Sequence, residues 1–126
     1  IGKVKELAYD MRFNYTDTGR LIGHICLGLE MVNERAQSIT ELSVDTLEEI
    51  RHIVLSHQGE YEQRSPVLPQ TIEACMIYHA DNLSSQVNAF KTVVYGPRMK
   101  GERWSQYFST IGRQMYLRQQ SEHEPF

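Results

Sequence analysis

The chain has 126 residues, 40% hydrophobic and 23% charged, enough for one domain with one core. Its formal net charge of −3 excludes a global cationic field that would draw in nucleic acid, so any RNA contact has to be local. No apolar run approaches the roughly 20 residues of a membrane helix, so no membrane partner is expected. Cys26 and Cys75 lie in apolar segments without metal-type spacing. They are expected to be small core residues in a reducing compartment, the cytoplasm.

Helical periodicity dominates. Residues 1–8 read as the end of a helix without an N-cap. Ile1 is not a translation start, so further chain is expected upstream. MRFNYTDTG, which follows, is polar and rich in turn residues. A helix is predicted over 20–37, where Leu21, Ile25, Leu29, Val32 and Ala36 repeat on one face of a 3.6-residue period. Ile22 widens that stripe, Leu27 falls on the far side, and the helix is expected to be central. The next helix is predicted over 45–57. Ser43 or Asp45 caps it, Glu48 and Glu49 suit its early turns, and Gly59 stops it.

A loop follows, EYEQRSPVLPQ, stiffened by Pro66 and Pro69. The last long helix is predicted over 71–95, with Ile72, Met76, Leu83, Val87, Phe90 and Val94 as its apolar stripe and Gly96-Pro97 as its end. The segment GERWSQYFSTIGRQMYL reads as short helix or irregular chain, and SEHEPF as a frayed end. The expected fold class is all-α, in one domain over 1–126.

Five histidines are candidates for chemistry. His24 lies between Gly23 and Gly28, and glycines permit close approach of backbone or ligand. His57 falls on the inward face of its helix, at the helix end, beside a polar loop containing Arg64; that placing suits a metal ligand. The competing reading for any such histidine is a hydrogen-bonded core or boundary residue. His52 is expected in solvent or in a second layer, His79 in the core, and His123 without a role. Asp81 sits mid-helix in ACMIYHADNL, on a small polar face with Ala74, Ile77, Ser85 and Asn88. A buried carboxylate there is costly unless paired, hydrogen-bonded or bound to a cation. Two histidines and one aspartate from three helices form a partial nitrogen–oxygen site, which suits Mn²⁺, Fe²⁺, Co²⁺, Ni²⁺ and Zn²⁺ alike. P-loop, CxxC and GxSxG patterns are absent, which argues against those chemistries.

Several segments together resemble a known family. IGKVKEL is similar to the stretch that follows the dyad in HD-x-G-K motifs, with Gly2 and Lys3 on the motif and the dyad falling just before Ile1. GRLIGHICLG, SHQGEYEQRSP and IYHADNL follow in order. Over residues 1–95 the chain resembles the C-terminal part of HD-superfamily metal-dependent phosphohydrolases, close to the YhaM type of 3′→5′ exoribonuclease. The resemblance implies an HD-type helical bundle, partial because its N-terminal helices are missing. It implies a divalent metal held by His24, His57 and Asp81, with Lys3 as a catalytic contact to phosphate and Arg64 as a substrate contact. The substrate implied is RNA, degraded from its 3′ end to nucleoside 5′-monophosphates.

There are departures from the family pattern. Gln58 stands where relatives carry a second consecutive histidine, and neutral Gln is a poor ligand for Mn²⁺ or Zn²⁺. Ser84 and Gln86 replace the aspartate and lysine of the family's DAK run. An HD hydrolase of nucleotides or another phosphoester, and a non-catalytic HD interaction module, are the alternative readings. The ligand atoms of His24, His57 and Asp81 are expected to converge within about 8 Å, because metal bonds of about 2 Å must reach one or two neighbouring ions. Loss of the dyad helix would bare apolar surface on the 20–37 helix and promote a homo-oligomer.

Overall fold

The computed structural model describes residues 1–97 and 101–117. The frayed end and His123 lie outside the described residues. In chain order the elements are α1 (Lys3–Glu6), β1 (Leu7–Asp10), β2 (Arg12–Tyr15), α2 (Asp17–Ile22), α3 (His24–Ala36), α4 (Val44–Ser56), a 3-10 turn (Tyr61–Gln63) and α5 (Ile72–Val94). The chain divides into two compact units, Ile1–Ala80 and Asp81–Phe126. It is mostly helical, and to that extent the all-α expectation holds. The correction is a two-stranded antiparallel hairpin, Leu7 opposite Tyr15 and Tyr9 opposite Phe13. Residues 7, 9, 13 and 15 alternate with polar ones at the strand period of two, a signal too short to stand out in a helical sequence.

The helix expected over 20–37 is two helices. Gly23 breaks it with φ 79° and ψ 155°, a conformation essentially reserved for glycine. The break resets the helical phase, so the apolar stripe does not run through. Leu21, assigned inward, is 86% exposed on α2, while Leu27, assigned to the far side, is 2% exposed. α3 is nonetheless central, since it packs against α1, α2 and α4. Cys26 and Cys75 are both free and exposed, which corrects the expectation that they are core residues. Among the described residues no helix is long and apolar enough to cross a membrane.

α1 can lie on α3 because two glycines meet there. A Cβ on Gly2 would stand 1.8 Å from the His24 carbonyl oxygen and 2.6 Å from the Gly28 nitrogen. α4 starts as expected at Ser43, whose hydroxyl accepts from Thr46 N. Arg51 Nε donates to Asn33 Oδ1 at 2.7 Å and ties α4 to α3. The proline loop is pinned at both ends. The buried Ser65 hydroxyl donates to the Val67 carbonyl at 2.7 Å, and Gln70 N donates to His52 Nε2 at 2.9 Å. His52 is thus a loop anchor. Gly59, with φ 80°, lies against the Tyr78 ring at the start of α5.

On α5 the expected stripe is largely bare. Ile72, Met76, Leu83, Val87 and Phe90 are exposed, as is His79, and the buried residue is the small Ala74. A small residue such as alanine can let a helix approach a neighbour closely, and a stripe drawn from large apolar residues overlooks it. In the second unit the tail is not a short helix but irregular chain, the other of the two expectations. Trp104 pairs with Tyr116 and Phe108 with Arg113 in an irregular antiparallel hairpin that buries Met115 and Leu117.

Gly2→Ala tests the close approach of α1. Gly2 has ordinary helical angles (φ −62°), so alanine brings no backbone strain, only the clash with α3. Urea unfolding is expected to show a loss of about 1–3 kcal/mol. Unchanged stability would show that α1 does not pack on α3 at this distance.

Candidate functional site

The site is built around the first turn of α3. Gly23 turns the chain so that His24 opens the helix with its backbone N–H free. Glu6, at the end of α1 and buried, fills that position: its Oε1 accepts from His24 N at 3.1 Å. A carboxylate at a helix N-terminus is favourable on dipole grounds. The same Oε1 lies 3.2 Å from His24 Nδ1. A carboxylate only accepts, so Nδ1 carries the hydrogen and the lone pair sits on Nε2.

His57, the C-cap of α4, is arranged in the same way. Its Nδ1 donates to the Val54 carbonyl at 2.7 Å, again leaving Nε2 with the lone pair. The two rings are 5.6 Å apart, centroid to centroid, at 70°. Both are half-buried. Imidazoles whose Nδ1–H is tied to oxygen and whose Nε2 is available have the arrangement that metal-ligating histidines show. Gln58 Nε2 donates to His24 Nε2 at 3.2 Å and occupies that lone pair.

The same face holds a cavity of about 770 Å³ whose walls include Lys3, Glu6, Tyr15, Arg20, His24 and Arg64. Three cationic residues therefore line the cavity that His24 borders, although the whole chain is acidic. Arg64 is held at φ 68° in the left-handed region, which costs a non-glycine residue roughly 1–2 kcal/mol. Its neighbour Ser65, buried and bonded through N to the Glu60 carbonyl, keeps it there.

His24, His57, Lys3 and Arg64 thus fall in one unit, with the histidines adjacent and the two cations on the cavity wall. Asp81 is the first residue of the second unit, exposed on α5, so the burial expected for it is not found. Among the described residues no three His, Cys, Asp or Glu side chains form a ready metal shell. The sequence reasoning missed Glu6, Arg20 and Tyr15. Glu6 looks like one more charge on a polar helical fragment, and only its burial against Gly19 and His24 marks it.

Comparison with known proteins gives a family model, described as HD domain, that matches residues 1–86. The "3'-5' exoribonuclease YhaM" of Bacillus licheniformis is 36% identical over 119 residues, covering 92% of this chain and 36% of that protein. The proteins of the same name from Bacillus pumilus and Bacillus subtilis are 36% and 35% identical with the same coverage. The chain therefore spans about a third of the length of these relatives. No solved structure matches it.

Glu6 can be tested by its effect on one ring. In Glu6→Ala, the His24 signals in a ¹H–¹⁵N imidazole spectrum are expected to move from a single Nδ1–H tautomer to a mixture. Stability should fall by about 1.5–3 kcal/mol with the loss of the charged acceptor. Glu6→Gln keeps an acceptor oxygen and should retain most of the native pattern. An unchanged His24 spectrum in the alanine variant would mean that Glu6 does not set the tautomer.

Proposed function

The chain belongs to the HD domain family, and from that premise we propose that it is the hydrolytic part of a metal-dependent 3′→5′ exoribonuclease, releasing nucleoside 5′-monophosphates. The observation that carries the reading is the pair of adjacent imidazoles, each with Nδ1 tied to oxygen and Nε2 carrying its lone pair, beside a cavity with three cations. The printed name of the relatives supports RNA as the substrate.

The donor set fits a divalent cation in part. His24 and His57 supply two neutral nitrogen ligands with rings already oriented, which removes an ordering cost from binding. Asp81 is proposed as the oxygen ligand from α5, and the HD-x-G-K pattern that Gly2-Lys3 resemble assigns the remaining positions to a His-Asp pair. This chain contains no His-Asp dipeptide. When bound, the cation supplies Lewis acidity and activation of water. The chain's own residues do the rest. Lys3 and Arg64 neutralise charge on the phosphate, Lys3 as a compact point charge and Arg64 as a planar fork that can hold two oxygens at once. Arg20 adds a third cation to the same wall. Gln58 has to release His24 Nε2 before that nitrogen can bind an ion, and its neutral amide is the weaker competitor.

The 126-residue chain alone is expected to bind Mn²⁺ weakly and to hydrolyse RNA poorly. A chain carrying a His-Asp pair directly before Ile1 is expected to release 5′-monophosphates in a chelator-sensitive reaction. In that chain His57→Ala and Asp81→Asn should each lower Mn²⁺ affinity by about tenfold or more, read by calorimetry. Because Asp81 is exposed, its metal-free melting temperature should stay unchanged in Asp81→Asn. Full metal-dependent hydrolysis by Asp81→Asn would remove Asp81 from the shell. Efficient chelator-sensitive RNA degradation by the 126-residue chain itself would show that no further ligands are needed.

A further inference from the structure

The hairpin presents an aromatic face that is largely exposed. Strand alternation and register put Leu7, Tyr9, Phe13 and Tyr15 on one side, with Ala8, Asp10, Arg12 and Asn14 on the other. On the first side Tyr9 is 71% exposed, Phe13 73% and Tyr15 56%. The Tyr9 and Phe13 rings are 5.1 Å apart and tilted at 53°. Tyr15 carries the Arg20 guanidinium over its ring at 5.6 Å. Three exposed aromatic rings on a short hairpin are not core, and contiguous exposed apolar surface marks a binding face.

We propose that this face is a stacking platform for the bases of single-stranded RNA whose 3′ end enters the adjoining cavity. The proposal rests on the phosphohydrolase reading and adds a place where the rest of the strand is held. Two observations select the occupant. The first is continuity: Tyr15 belongs both to the aromatic row and to the cavity wall that holds His24, Lys3 and Arg64. A strand lying along Phe13, Tyr9 and Tyr15 therefore leads into the cationic cavity.

The second observation is the pairing of chemistry. Flat π surfaces interleaved with a guanidinium suit alternating bases and phosphates, because every base has a π face whatever the sequence. An apolar protein partner has no use for Arg20 stacked on Tyr15 and the cations behind it. The platform also supplies what the chain's charge denies. At a net −3 the chain has no long-range pull on RNA, so affinity has to come from short-range stacking and local cations.

The test is fluorescence anisotropy with the 126-residue chain in chelator, where hydrolysis does not compete. The probes are a labelled single-stranded oligoribonucleotide and an abasic strand of equal length and charge. The native chain is expected to bind the RNA more tightly than the abasic strand. Phe13→Ala and Tyr9→Ala should each weaken RNA binding by about fivefold or more and narrow that difference. Phe13→Trp keeps a ring and should retain the native affinity. All three variants are judged at unchanged melting temperature, as the exposure of Tyr9 and Phe13 allows.

Equal binding of RNA by the native chain and Phe13→Ala would overturn the proposal. So would equal binding of RNA and abasic strand by the native chain, or self-association that the alanine variants abolish while RNA is ignored. The metal reading stands or falls separately, on the Mn²⁺ titrations of His57→Ala and Asp81→Asn.

Discussion

Glu6 accepts two hydrogen bonds through one oxygen, and each fixes something different. The bond from His24 N fixes where α3 begins; the bond from His24 Nδ1 fixes which ring nitrogen keeps its lone pair. The backbone of the same residue holds a third element. The Glu6 carbonyl accepts from Thr16 N at 2.9 Å, closing the hairpin, and Gly19 of α2 packs on that carbonyl. Thr16 in turn caps α2 through Gly19 N. One residue thus joins α1, the hairpin, α2 and α3. A buried carboxylate is unfavourable unless its acceptors are satisfied, so the energetic pressure that orders His24 also orders the elements around it.

The histidines are oriented by different means to the same end. His24 depends on tertiary structure, a carboxylate 18 residues upstream. His57 depends on local structure, the carbonyl of Val54 three residues earlier at the end of its own helix. Glycine makes both possible. Gly23 adopts angles that other residues avoid, and Gly59, just past His57, lets α5 cross with the Tyr78 ring against its Cα. The GH and SHQG patterns are thus geometrical requirements as much as chemical ones: each histidine is useful only because the glycine nearby turns the chain.

How far all this was legible in the sequence follows from range. α4 and its Ser43 cap, the ends of α5, and the candidacy of His24 and His57 depend on residues within a turn or two of each other, and periodicity or motif resemblance reveals them. The break at Gly23 was not legible because a glycine inside an apolar helical pattern is tolerated as often as it is disruptive. The hairpin was hidden because MRFNYTDTG has turn composition, and its aromatic alternation spans only a few residues. Glu6 was hidden for the deepest reason, since nothing local distinguishes a buried charge from a solvated one. The exposure of the α5 stripe belongs to the same class. Periodicity identifies an apolar face but not whether anything in the chain covers it.

The charge distribution carries the last step. An RNA-binding surface is commonly sought in a basic composition, and this chain is acidic. Yet Lys3, Arg20 and Arg64 share one wall, and the reach of a surface charge at physiological salt is about 8 Å. Within that distance the local set governs, three cations against the one carboxylate of Glu6, and the distant carboxylates are largely screened. Three cations can displace only about three counterions, giving a salt slope no steeper than about −2 for a single strand. Electrostatics of that size orients a phosphate without holding a strand. The division of labour then follows from the magnitudes. On the proposed reading, cations at the cavity would align the scissile phosphate with the imidazoles, while the aromatic hairpin would supply the affinity that an acidic chain cannot draw from charge.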